Sequence, residues 1–173
     1  MIEMGDPKKS RKVWKKPKRP FNYELKMDEL KTIGTFGLKT KKELWKEHTT
    51  LSKIRHQARS LLALRKETRE LKEPIFMKSL IRIGLIDKNS TLDDVLNLQI
   101  NDLLSRRLQS IVQKKLLFKT PYQARQAIVH KHIMINNKII NVPSYRVKVD
   151  EENNINISMK SSLRKDSNDD TKK

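Results

Sequence analysis

Asp102 and Asp150 bracket 47 consecutive residues, Leu103 to Val149, that hold ten Lys or Arg and not one carboxylate. The same run threads Leu, Ile and Val through its basic residues at regular spacing. It must therefore close around an apolar core while keeping a surface of one sign. A merely solvated surface mixes its charges. The apolar residues imply a fold, and the missing acids imply a partner that brings negative charge.

The rest of the chain points the same way. Its 173 residues have a formal net charge of +19, with 36% hydrophobic and 34% charged side chains. That composition supports a modest core, as one ordinary domain or two small ones. Charge on this scale favours a polyanion, and nucleic acid is the natural one. A membrane surface calls for an amphipathic, aromatic-rich helix, and aromatics are only 5% here. No apolar run reaches the roughly 18 to 20 residues of a spanning helix. The N-terminus lacks the pattern of a secretory signal. The absence of Cys excludes disulfides and Cys-based zinc sites and fits a reducing interior.

Residues 1–22 read as a basic, extended arm. Eight basic residues fall between Lys8 and Arg19, and Pro7, Pro17 and Pro20 oppose a continuous helix. Lys15, Lys16, Lys18 and Arg19 are its candidate RNA contacts; a nuclear-import signal or solubilising tail is the plainer alternative. Residues 23–103 read as a helical domain. Met27, Leu30 and Ile33 give one helix, ended by Gly34. A short helix over 40–48 follows, with Thr40 and Glu43 as a capping box. The next places Leu51, Ile54, Ala58, Leu61 and Leu62 on one face. Its basic remainder includes Lys53, Arg55 and Arg59, either solvated or docked on phosphate. Pro74 reads as the start of another helix, stopped by Gly84. Ser90 or Thr91 caps a further one, with Asp93 and Asp94 in its first turn, where the helix dipole favours acids. That role is the plain account of this carboxylate pair, ahead of general acid and base.

Residues 104–159 read as two helices feeding a small sheet. The first is one long helix, "INDLLSRRLQSIVQKKLLF", entered from Ile100 and carrying Leu104, Leu108, Ile111, Val112 and Leu116 inward. The second starts at Thr120-Pro121, a favoured N-cap and N1 pair, and packs Ala124, Ala127 and Ile128. The apolar period then changes to two. Asn136-Asn137 turns a hairpin. "YRVKV" reads as a strand with Tyr145, Val147 and Val149 inward, and "INISM" as a last strand. Residues 160–173 form a polar tail, read as disordered. If the module closes this way, Arg106, Arg107, Arg125, Lys131, Arg146 and Lys148 form one basic surface for a phosphate backbone, since the guanidinium fork bonds phosphate oxygens in pairs. His132 and Tyr145 are placed to stack or bond. Aromatics are too few for a single-strand stacking platform, so the expected mode is shape and phosphate reading of folded RNA.

The stretch "SRRLQSIVQKKLLFKTPYQARQAIVHKHIMINNKIINVPSYRVKV" resembles the S-four RNA-binding domain. "KRPFNYELKMDELKTIGTFGLKTKKELW", "TLSKIRHQARSLLAL" and "LIRIGLID" resemble the preceding region of the universal small-subunit ribosomal protein S-four family, in its eukaryotic and archaeal form (S-nine in eukaryotes). The resemblance runs from about Arg19 to Ile157, with several motifs in order. It implies an α+β chain: a basic arm and helical domain, then an S-four domain of two helices plus a small twisted antiparallel sheet.

Membership implies a non-enzymatic constituent of the small ribosomal subunit that binds the five-prime region of ribosomal RNA, supports assembly and translation, and lies beside neighbouring ribosomal proteins in the cytoplasm, with nucleolar assembly in a eukaryote. It implies no cofactor, metal, small-molecule substrate or membrane. RNA contact is carried to Arg106, Arg107, Arg125, Lys131, His132, Arg146 and Lys148, and to Lys53, Arg55 and Arg59 from "KIRHQAR". The nucleolar RNA-processing relative of the family is the alternative. An enzyme carrying an S-four domain is a distant one, because residues 20–102 hold no Gly-rich phosphate loop, metal cluster or nucleophile-base arrangement. Many S-four domains carry Gly where Lys131 and Asn137 stand. Asn tolerates a positive φ; Lys would be strained there. His130 and His132 lack the further ligands a metal needs.

Overall fold

The computed structural model describes residues 13–158 and residue 161. The first half of the basic arm, Met159 and nearly all of the polar tail lie outside these residues. Residues 13–22 have no helix or strand, as expected of the arm. Helix α1 (Tyr23–Phe36) starts on Asn22, whose side chain accepts from the Glu24 N–H. It runs past Gly34 and ends at Gly37, which takes the left-handed conformation at φ 59°. Gly34 is therefore a helix residue, and the stop falls three residues later.

Helix α2 (Lys41–Leu62) is one continuous helix. The sequence reading broke it near residue 48, but Leu44, Leu51, Ile54, Ala58 and Leu61 form one unbroken buried stripe. The expected Thr40–Glu43 capping box does not form; Thr40 makes no side-chain cap bond. Helix α3 (Lys66–Ile83) starts well before Pro74 and carries that proline inside. Both Pro74 and Glu70, whose carbonyl loses its donor, are at exposed positions, so the missing bond is not buried. Gly84 ends the helix at φ 75°, as read. Helix α4 (Leu92–Asn97) is capped at Thr91, whose N–H donates to the Asp94 carboxylate at 2.7 Å. Asp93 and Asp94 occupy its first turn, as read, and Asp94 supplies the cap bond.

The long helix expected from residue 100 is divided. Helix α5 (Ile100–Ser105) ends at Arg106, and helix α6 (Leu108–Lys115) starts from Arg107, whose backbone is extended at φ −75°, ψ 145°. The backbone here pairs with the far end of the module. Leu108 N–H donates to Tyr145 O at 2.7 Å, and Val147 N–H donates to Arg106 O at 3.2 Å. These bonds make "YRVKV" a single bridge, Arg107 to Arg146, instead of a full strand. Val147 is buried, but Val149 is 46% exposed and opens helix α8 (Val149–Glu152).

Helix α7 (Pro121–Val129) has Thr120 as N-cap and Pro at its start, as read. Strands β1 (Ile133–Ile135), β2 (Lys138–Ile139) and β3 (Ile155–Ile157) form an antiparallel sheet in the order β2-β1-β3. Asn136 and Asn137 turn the hairpin at φ 48° and 65°, the two positive values of the turn that suits a right-twisted ribbon.

One apolar cluster joins α2, α3 and α4 through residues such as Leu51, Ala58, Leu80 and Val95. A second joins α6, α7 and the sheet through Leu108, Val112, Ile128 and Ile133. Leu38, Leu44 and Leu104 form a third, smaller cluster. Gln109, only 1% exposed, stitches the N-terminal turn to the second unit: its amide donates to Gly37 O and Pro121 O, each at 2.9 Å. A Cβ at Gly37 would come within 2.7 Å of both Gln109 Nε2 and Pro121 Cβ.

Lys131 has φ 64°, and its N–H bonds Ile128 O at 3.0 Å in the turn that ends α7. A lysine there carries left-handed strain that glycine would not. Lys131→Gly is expected to stabilise the fold by about 0.5–1 kcal/mol, the relief exceeding the added freedom of the unfolded chain. Urea denaturation checks this; a loss of stability would contradict the strain.

Candidate nucleic-acid interface

Helix α2 meets the second unit through two carboxylates. Glu43 Oε1 accepts from Arg125 Nη2 at 2.7 Å, and Glu43 Oε2 accepts from Arg107 Nη2 at 3.1 Å. One turn further on, Glu47 Oε2 accepts from Arg146 Nη2 at 2.7 Å. Glu43 and Glu47 lie four apart on α2, so one face of that helix presents both acids. Three of the arginines in the acid-free run thus find counter-charge inside the protein.

Burial alone would push the Glu43 carboxyl up. The guanidiniums of Arg125 and Arg107 outweigh burial and hold its pKa below the usual carboxylate value. Arg107 is the most enclosed of the group, at 2% exposure, and its Nε and Nη1 have no hydrogen-bond partner among the described residues.

The remaining candidates divide cleanly. Arg106 pairs with Glu152 at 2.9 Å and donates to Ile83 O at 2.8 Å. Lys148 pairs with Glu151 at 3.2 Å, and Tyr145 Oη donates to the same carboxylate at 2.8 Å. Arg55 donates to the carbonyl of Leu98. The expectation that Arg106, Arg107, Arg125, Arg146 and Lys148 form one outward basic surface is therefore corrected. Their charged groups reach acids brought by α2 and α8, which a scan of the acid-free run alone does not see. Arg55 is likewise turned into the protein. His132 Nδ1 and Ser161 Oγ are 2.9 Å apart.

The exposed cations are others. Lys53 and Arg59 project from α2, and Lys15, Lys16, Lys18 and Arg19 are exposed along the arm. In the second unit Lys131 is exposed, together with Lys114, Lys119 and Lys138, which the sequence reading did not single out. None of these four lysines enters an ion pair among the described residues. Their signal was available: Lys114, Lys119 and Lys131 stand at helix ends and Lys138 at a hairpin turn, where long side chains escape the core.

Among the described residues no group of His, Asp or Glu is arranged to hold a metal ion, and no helix is long and apolar enough to cross a membrane.

The S4 domain family matches residues 106–153. Small ribosomal subunit protein uS4 of Nitrosopumilus maritimus is 69% identical over 160 residues, covering 92% of this chain and 80% of the relative. The chain belongs to the uS4 family. The uS4 protein of Cenarchaeum symbiosum is 65% identical over 155 residues, covering 90% of this chain and 76% of the relative. That of Ignicoccus hospitalis is 48% identical over 149 residues, covering 86% of this chain and 90% of the relative. The match is to the archaeal type. It favours the ribosomal protein over the nucleolar relative and makes the chain a structural ribosomal protein with an S4 RNA-binding domain, not an enzyme.

Glu43 carries the junction, so its loss should be costly. Glu43→Gln leaves Arg107 buried without its counter-charge and is expected to destabilise the protein by about 3 kcal/mol in chemical denaturation. The pH dependence has a fixed sign. A carboxyl whose folded-state pKa is depressed contributes stability that is complete above the unfolded-state value near 4.5 and is lost as pH falls below it through the folded-state value. Acid titration of the Glu43→Gln variant should show a shallower loss of stability in that window; an unchanged titration would count against the pair.

Proposed function

We propose that this chain binds the five-prime region of small-subunit ribosomal RNA and holds it during assembly, with phosphate contact made by the unpaired lysines of the second unit and the cations of the arm and α2. The observation that carries this reading is the division of charge. The arginines of the acid-free run are held by Glu43, Glu47 and Glu152, whereas Lys114, Lys119, Lys131 and Lys138 are exposed and enter no ion pair among the described residues. A net charge of +19 leaves ample excess after those pairs form.

In this reading the arginines of the acid-free run are architectural, and its exposed lysines meet RNA together with the cations of the arm and α2. Each phosphate neutralised releases condensed counterions, so affinity falls linearly with the logarithm of salt concentration. Neighbouring ribosomal proteins have a place as well: Leu71 and Ile75 lie one turn apart on α3, each 73% exposed. The cytoplasmic ribosome is the corresponding site of action.

The test is the salt dependence of binding to a five-prime small-subunit RNA fragment. The triple variant Lys114→Ala, Lys119→Ala and Lys138→Ala is expected to reduce the slope by about 2, at roughly 0.7 to 0.9 per contact. Its thermal stability should stay at the wild-type value, because all three side chains are exposed. A slope equal to wild type would overturn the assignment.

A further inference from the structure

The arm, α1 and α2 enclose a groove of about 590 Å³ that the S4 domain match does not reach. Pro17, Leu25 and Trp45 supply apolar lining, and His48, Thr49 and Ser52 supply polar groups. The arm is fastened along one wall. Lys15 N–H donates to Thr49 Oγ1 at 3.1 Å, and the Trp14 ring packs on Trp45 with centroids 5.5 Å apart. Four cations, Lys15, Lys16, Lys53 and Arg59, line the groove with a single acid, Glu29.

That acid is already engaged. Glu29 accepts from Lys41 Nζ at 2.9 Å and from Trp45 Nε1 at 2.7 Å, so both carboxylate oxygens are bonded and the indole is fixed. The four cations enter no ion pair among the described residues. Burial pushes the His48 imidazole pKa down, so at neutral pH it offers hydrogen-bonding atoms more than charge.

We propose that this groove receives a single-stranded segment of RNA, with one unstacked nucleobase against the Trp45 ring and its flanking phosphates on Lys15, Lys16, Lys53 and Arg59. The inference deepens the ribosomal RNA reading and rests on it. Charge complementarity selects the occupant: an apolar peptide would leave four cations unmatched, and a duplex presents no free base face. Base-on-aromatic stacking within a cationic groove is the general mode of single-strand recognition. The sequence argued against it because aromatics are scarce, yet the fold brings both tryptophans of the chain together at this one place.

That coincidence supplies the assay. With only Trp14 and Trp45 in the chain, intrinsic tryptophan fluorescence reports on Trp45 in the groove and on Trp14 packed against it. Titrating the full chain with a single-stranded RNA hexamer should quench it, while a hairpin duplex of equal charge should quench weakly. Ser52→Phe, which fills the groove, and separately the exposed pair Lys53→Ala with Arg59→Ala, should each weaken hexamer affinity about tenfold. Equal quenching by duplex, or unchanged hexamer affinity in both variants, would overturn the proposal. Binding of the five-prime RNA fragment is measured beside it by filter retention. If that binding persists while the hexamer gives no quenching, the groove assignment fails and the ribosomal RNA reading stands. Loss of both overturns both.

Discussion

The junction between the two parts of this protein centres on one carboxylate. Glu43 extends from the first turn of α2 and holds Arg107 and Arg125, which belong to the two helices of the S4 domain. Around that contact the rest follows. The backbone opens between α5 and α6 so that Arg107 can point inward, and the opened residues pair with 145–147. Glu47 and Arg146 repeat the contact one turn along α2. Gln109 of α6 adds a neutral tie to Gly37 and Pro121. The packing of Leu38, Leu44 and Leu104 places an apolar cluster between the same elements.

A buried ion pair is seldom the most stabilising choice for its volume, since desolvation offsets much of the attraction. Arg107, with two of its nitrogens unpartnered among the described residues, illustrates the cost. What such a pair supplies is orientation. A guanidinium that must find a carboxylate fixes which face of the S4 domain turns toward α2. The opposite consequence is as useful. Once the arginines of the acid-free run are committed inside, the positive charge that the S4 domain leaves outside is carried by lysines, whose flexible ammonium groups suit sequence-independent contact with phosphate.

Much of this was legible in the sequence because it depends on local periodicity. The α2 stripe, the Thr120-Pro121 start, the Asn136-Asn137 turn and the capping role of Asp94 each follow from a few adjacent residues. Three readings failed for reasons that lie far along the chain. Glu43 has the spacing of a capping-box acid, but two arginines more than sixty residues away compete for it and win. "YRVKV" alternates like a strand, yet its partner backbone supplies only one bridge before α8 begins. The acid-free run implied a partner bringing negative charge to a surface built from Arg106, Arg107, Arg125, Lys131, Arg146 and Lys148, whereas α2 and α8 supply acids to all of these but Lys131. The family resemblance, carried by ordered motifs, is borne out by the relatives; motifs record which residues recur and not which way they point.

The central claim is that Glu43 and Arg107 act as one unit. A double-mutant cycle of Glu43→Gln and Arg107→Gln, with stability read from urea denaturation of the full chain, tests it most directly. The account expects a coupling of about 1.5 kcal/mol or more, the double variant losing far less than the sum of the singles. Additive losses, agreeing within about 0.5 kcal/mol, would show that the two side chains do not depend on one another and would contradict it.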